Sequence, residues 1–180
     1  MGVLDADLPA TISHFEMADE FLSGAVDTVV NAGSFQDMNA YLFSQIRRAD
    51  DPEQDQRTGR NRVTGYQENV DFLGQTDNDS ILFEFDGAAD PDFVTYETRF
   101  ISEDSGGPTF VDIGGELTLL GVNSFTYTTD EGGSGSGITY VGNQATAIQD
   151  YITENATVPE PSSLAMFGIG GLFLGRRRKV

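Results

Sequence analysis

Apolar and polar residues alternate along Ser80-Ile81-Leu82-Phe83-Glu84-Phe85, the pattern of a strand with one buried face. Thr109 to Ile113 and Glu116 to Val122 flank Gly114-Gly115, which predicts a hairpin with a tight glycine turn. Gly132-Gly133-Ser134-Gly135-Ser136-Gly137 predicts a flexible loop. Past it, Val141, Ala145, Ile148 and Ile152 step at helical intervals, and Asn143 stands where it can cap that helix. Arg47 to Arg62 is charged and polar, holds Pro52 and Gly59, and reads as a surface connection. Acid-rich patches lie at Gln75 to Asp79 and Asp86 to Asp92. No internal repeat stands out. The pattern predicts a mostly β body, one helix after it, and then a separate apolar run, Leu164 to Gly175.

Composition sharpens this picture. A chain of 180 residues with 38% hydrophobic and 11% aromatic residues can build one core, so one domain is the default. Twenty-one glycines suit a turn-rich β protein better than a helical bundle. The net charge of −19 hides an asymmetry, because four of the ten cations are Arg176, Arg177, Arg178 and Lys179. The first 175 residues set 6 arginines against 29 acids, a net of −23, and such a body repels phosphate backbones. Nucleic acid is therefore excluded as a partner. The absence of cysteine excludes a disulfide scaffold, a thiol nucleophile and a Cys-ligated zinc site. The single histidine, His14, leaves no histidine cluster for a transition metal.

The C-terminal end reads as an address. Val158-Pro159-Glu160-Pro161-Ser162-Ser163 opens it, the apolar run follows, and the basic cluster closes it. The prolines keep the segment extended. The run has 12 residues, short of the ~20 that cross a bilayer comfortably. A weak anchor, its basic end on the cytoplasmic side, is the plain reading. The three parts in this order closely resemble the PEP-CTERM signal of Gram-negative bacteria, with Pro159, Glu160 and Pro161 as the sorting motif. That resemblance implies export, transient inner-membrane contact through residues 164–175, processing by an exosortase-type enzyme, and a final place at the cell surface or in the extracellular matrix. An exported protein is expected to begin with a basic stretch and 7–15 apolar residues. Met1 to Pro9 has neither, so Met1 is expected to be an internal position of a longer coding sequence.

Glu103-Asp104-Ser105-Gly106-Gly107-Pro108 is the chemically most informative stretch of the body. A serine on a glycine-rich turn allows a substrate carbonyl to come close, and a nucleophilic serine also needs backbone N–H donors aimed at the developing oxyanion. Asp-Ser-Gly-Gly alone is an ordinary turn. The stretch resembles the Gly-Asp-Ser-Gly-Gly-Pro motif of trypsin-like serine peptidases, with Ser105 at the nucleophile position. Gly121-Val122-Asn123-Ser124-Phe125 is similar to that family's Gly-Val-Val-Ser-Trp segment, with Ser124 19 residues beyond Ser105. Gly137 to Val141 resembles the family's last strand, and Ala147 to Ile152 its closing helix. The resemblance implies an all-β fold of trypsin-like antiparallel barrels, the second largely complete, the first truncated, closed by one C-terminal helix. It implies oxyanion donors at the N–H groups of Glu103 and Ser105, structural roles for Asp104, Gly106 and Gly107, and substrate pairing along Ser124, Phe125 and Thr126. No cofactor and no metal are implied.

This chain departs from the family in three places. Glu103 stands where the family has glycine, which threatens one oxyanion donor if the position needs positive φ. The general-base histidine has no recognisable segment, and His14, between Ser13 and Phe15, reads as a surface or strand-end residue rather than the base. Asp5 or Asp7 could be mistaken for the orienting aspartate, which is expected to precede Met1. The 157 residues before the tail are fewer than the ~200–250 common for a two-barrel domain. A missing leader and a missing histidine then share one cause, an N-terminal truncation.

Two further features bear on ligands. Asp77, Asn78, Asp79, Asp86, Asp90 and Asp92 offer hard oxygens for calcium, but match no EF-hand loop and read as solvated acidic loops. Arg99 lies six residues before Ser105, where a cation would suit an acidic substrate side chain. The expected division is a first-barrel remnant at 1–55, the nucleophile-bearing barrel with its helix at 56–155, and the sorting tail at 156–180. The function expected is an exported serine endopeptidase acting on a peptide or protein substrate, inactive as this truncated chain. The rival is a non-catalytic, peptidase-like surface protein.

Overall fold

The computed structural model describes residues 15–155 apart from 27, 47–54, 73 and 131. Residues 14–148 form one compact unit. Of the second unit, residues 1–13 and 149–180, the described part is the end of one helix, Gln149–Asn155.

The unit at 14–148 is built on one sheet of seven strands: β1 (Glu16–Met17), β2 (Asn39–Ile46), β3 (Asp55–Phe72), β4 (Gln75–Phe85), β5 (Pro108–Ile113), β6 (Glu116–Thr128) and β7 (Ser134–Tyr140). Six of them pair antiparallel in the cycle β2-β3-β4-β7-β6-β5, and β5 returns to β2. The cycle closes because β6 is long enough to serve two partners. Its first half pairs with β5, Glu116 opposite Ile113, and its second half with β7, Thr128 opposite Ser134. A register shift between Asn123 and Phe125 bends it between the two. Closure leaves those six strands without a free edge, and β1 adds a short parallel pairing to β6 at Thr118 and Leu119.

Alternation along the strands fills the interior. Ala40 and Leu42 of β2, Val63 and Tyr66 of β3, Ile81 and Phe83 of β4, Val111 of β5, Leu120 of β6, and Ile138 and Tyr140 of β7 are all buried in one core. Burial pushes the Tyr66 and Tyr140 phenols well above their ordinary range. Both hydroxyls are used, Tyr66 donating to Leu22 O at 3.2 Å and Tyr140 to Glu20 O at 2.7 Å. The hairpin expected around Gly114-Gly115 forms as β5–β6, with φ of 67° and 94° at the two glycines, the double positive turn that matches strand twist. The strand expected at Ser80–Phe85 lies within β4.

Several local expectations are corrected. The acid-rich Gln75 to Asp79 is the first part of β4, not a loop, because it pairs with the end of β3. The stretch from Asp55 to Arg62 is strand, not surface connection, in register with all of β2. Gly132 to Gly137 is not a flexible loop beyond Gly133, since β7 begins at Ser134. The ring of Tyr127 covers Gly135 and the ring of Phe125 covers Gly137, leaving no room for a Cβ at either. Helix α1 runs Ala145–Asn155, as the spacing predicts, after a 3-10 turn at Gly142–Gln144. Asn143 does not cap it. Its side chain accepts from Leu22 N at 2.8 Å and donates to Leu22 O, Tyr66 Oη and Asp79 Oδ2 at 2.8, 3.1 and 2.6 Å. Among the described residues there is one sheet with one helix after it, and the two trypsin-like barrels expected from the resemblance are not confirmed.

Candidate functional site

Ser105 lies in the turn that precedes β5, and that turn is held by backbone hydrogen bonds and by one buried carboxylate. Asp104 N donates to Ile101 O at 3.2 Å, and Gly107 N to Asp104 O at 3.3 Å. Asp104, 4% exposed, folds its carboxylate back so that Oδ2 accepts the Ile101 N–H at 2.8 Å; its Oδ1 is buried with no partner. Gly106 N donates to Asn123 O at 2.9 Å and Asn123 N to Gly107 O at 2.8 Å, which fastens the turn to the bend in β6. Gly107 is required here, because a Cβ would run into the carbonyl oxygen of Phe43.

Asn123 is the clamp. It is 2% exposed, and its Nδ2 donates to Phe43 O at 2.8 Å and Asp104 O at 3.2 Å. Its Oδ1 accepts the Thr109 hydroxyl at 2.7 Å. One side chain thus ties β2, β5, β6 and the Ser105 turn together. Sequence reasoning missed this role, although the signal was visible. Asn123 is the polar residue standing where the similar peptidase segment has valine.

Glu103 has φ of 81°, so the chain adopts the left-handed conformation at this position without a glycine. Gly106 follows with φ of 90°. The N–H groups of Asp104 and Gly106 are spent on Ile101 O and Asn123 O. Those of Glu103 and Ser105 meet no acceptor among the described residues. The threat that Glu103 posed to the turn is therefore one of backbone strain, not of a different turn shape.

Ser105 is exposed, and its Oγ donates to Ser124 O at 3.4 Å. It sits where two clefts meet. One, of about 500 Å³, is bounded by Phe43, Arg57 and the whole turn from Glu103 to Pro108. The other, of about 190 Å³, is lined by Phe100, Ile101, Ser102, Ser105, Ser124, Phe125 and Thr126. The proposed nucleophile and the three proposed substrate-pairing residues thus share one cleft. Arg99 does not join them. Its guanidinium donates to Ser134 Oγ at 2.6 Å and lies 5.3 Å from the centre of the Phe85 ring, so the position six residues before Ser105 brings no cation to this cleft.

No imidazole stands near Ser105 among the described residues. Tyr127 supplies no base either, since burial pushes its phenol up to about 12 and its hydroxyl donates to Phe83 O at 3.3 Å. His14, Asp5 and Asp7 lie outside the described residues, as do Pro159, Glu160, Pro161 and the run 164–175. Among the described residues no three carboxylate or histidine groups come together to hold a metal ion. The acidic residues between β4 and the Ser105 turn are tied by other means. Arg62 pairs with Asp92 and approaches Asp37 at 4.0 Å, while Glu97 Oε2 accepts the Asp86 N–H at 2.8 Å. Burial, with the neighbouring carboxylates, raises the Asp86 and Glu97 carboxyls above their ordinary range.

Residues 157–179 match the family model of the PEP-CTERM protein-sorting motif. No curated protein matches the chain. PEP-CTERM signals are recognised by exosortase processing enzymes, and the motif implies export and surface sorting in Gram-negative bacteria. Among the described residues no helix is long and apolar enough to cross a membrane.

Proposed function

We propose that this chain is the nucleophile-bearing part of an exported trypsin-like serine endopeptidase. The observation that carries the reading is the pair of unspent N–H groups at Glu103 and Ser105, beside an exposed Ser105 hydroxyl at the meeting of two clefts. The closed antiparallel cycle supports the barrel that the resemblance implies, and on this reading that barrel starts at β2, residue 39, earlier than residue 56. In the reaction, Ser105 Oγ attacks the scissile carbonyl carbon while a base takes its proton. The carbonyl oxygen becomes an oxyanion held by the two N–H groups. The C–N bond then breaks, the amine leaves with the proton, and water hydrolyses the acyl-enzyme.

The base lies outside the described residues. We expect it in an Ala-Ala-His-type segment rather than at His14. Without it Ser105 keeps the reactivity of an ordinary alcohol. A fluorophosphonate probe is expected to leave the 180-residue chain unlabelled. It is expected to label a form extended through the upstream coding sequence, and Ser105→Ala is expected to abolish that labelling. An extended form that carries such a histidine and stays unlabelled supports the second reading, a non-catalytic surface protein, for which the absence of an imidazole beside Ser105 among the described residues is the motivating observation. Processing at the sorting motif is read separately. Protein recovered from the producing organism is expected to lack Arg176 to Lys179 by C-terminal mass spectrometry; their presence overturns processing and leaves a plain anchor.

A further inference from the structure

We infer that the 190 Å³ cleft selects a small, uncharged substrate side chain next to the bond at Ser105, a statement that rests on the peptidase reading above. The size limits the guest. Sites that enclose whole ligands measure roughly 300–1,000 Å³, so this cleft holds one side chain and not a cofactor-sized group. Its walls limit the chemistry. Phe100, Ile101 and Phe125 are apolar, and Ser102, Ser124 and Thr126 carry only hydroxyls.

No wall residue bears a formal charge. Arg99 is turned to Ser134 and the Phe85 ring. Asp104 is not a wall residue; its Oδ2 accepts the Ile101 N–H while its Oδ1 is buried without a partner, and Glu103 borders the larger cleft instead. The Ser124 hydroxyl cannot rescue a charged guest. It donates to Val122 O at 3.0 Å, accepts the Thr139 N–H at 3.2 Å, and shares a 2.7 Å bond with Thr139 Oγ1, which uses its one proton and both lone pairs. A lysine, arginine, aspartate or glutamate side chain entering here loses water and meets no opposite charge on the wall. The Phe125 ring cannot retreat to make room for a large aromatic guest, because it rests directly on Gly137 of β7.

The test titrates the ¹⁵N-labelled 180-residue chain with acetyl-Ala-Ala-Pro-X-amide peptides, where X is Ala, Val, Phe, Lys or Glu. The readout is the amide shifts of Ser102, Ser124 and Thr126. The Ala and Val peptides are expected to bind at least about tenfold more tightly than the Lys and Glu peptides. Ser102→Asp places a carboxylate in the wall from an exposed turn position, and is expected to improve the Lys peptide by about tenfold while weakening the Glu peptide. A Lys or Glu peptide that matches Val, a Phe peptide that binds best, or a ranking unmoved by Ser102→Asp overturns the selectivity alone. No shift with any peptide counts against the peptidase reading itself, and the inference falls with it.

Discussion

Two stretches between β4 and β5 are held in different ways: an ion pair in one, a buried amide in the other. In the acidic stretch from Asp86 to Glu97, Arg62 pairs with Asp92, Glu97 takes the Asp86 N–H, and burial first, then neighbouring carboxylates, raise the Asp86 and Glu97 carboxyls. The turn from Ile101 to Gly107 is held mainly through bonds to backbone groups, three of them from or to Asn123, with the Asp104 carboxylate taking the Ile101 N–H. The difference matters for chemistry. A loop tied by long side chains is screened by salt and spends its charges on itself. A turn tied by a buried amide keeps its geometry fixed and leaves selected N–H groups unspent, which is what an oxyanion site requires.

The largest expected effect comes from removing the neutral clamp. Asn123→Ala strands the Phe43 and Asp104 carbonyls and the Thr109 hydroxyl in a buried place, and is expected to cost about 2–4 kcal/mol, read as a lower urea midpoint. A midpoint within about 0.5 kcal/mol of the parent would show that the turn does not depend on this side chain. Next in size, Glu103→Gly removes a side chain from a left-handed backbone position and is expected to stabilise the fold by roughly 1–2 kcal/mol. Destabilisation would mean that the carboxylate makes a compensating contact.

The acidic stretch is expected to respond less. Arg62→Gln should cost about 0.5–1 kcal/mol at low salt and close to nothing at 1 M salt, because the pairs with Asp92 and Asp37 are partly exposed. A salt-independent loss would place Arg62 in the packing instead. The smallest effect concerns protons. Burial first, and neighbouring carboxylates after it, hold Asp86 and Glu97 above their ordinary range, so the folded state binds more protons there than the unfolded state. Their contribution to stability is greatest below the unfolded carboxylate range and is lost as pH rises through the raised folded values. Glu97→Gln removes one of these groups. It should raise the melting temperature at pH 7 by about 1–2 °C and flatten its dependence between pH 4 and 7. An unchanged slope would show that Glu97 titrates as an ordinary carboxyl.

Legibility followed the range of the interactions. The Gly114-Gly115 hairpin and the strand in β4 were readable because turn geometry and alternation are local. The turn around Ser105 was readable as a motif for the same reason, and the sorting tail as an ordered set of three short signals. The start of β7 was not readable, although the resemblance marks Gly137 to Val141 as a strand. Its glycines signal a loop when taken alone, and they become strand only under the rings of Phe125 and Tyr127, which come from β6. Asn143 looked like a cap by spacing, yet Leu22, Tyr66 and Asp79 claim its side chain from far along the chain.

By itself the sequence determined the β character of the body, its acidic balance, the sorting address and the serine turn with its glutamate. Each depends on residue type and near-neighbour spacing alone. Only the tertiary structure decided that the six strands close into a ring, that Asn123 locks the turn, that Arg99 faces away from the cleft, and that Glu103 takes the left-handed backbone. Those outcomes turn on contacts between residues distant in the chain. A buried hydrogen bond or a ring over a glycine forms only after the distant partner has been brought into place, and no local pattern carries that information.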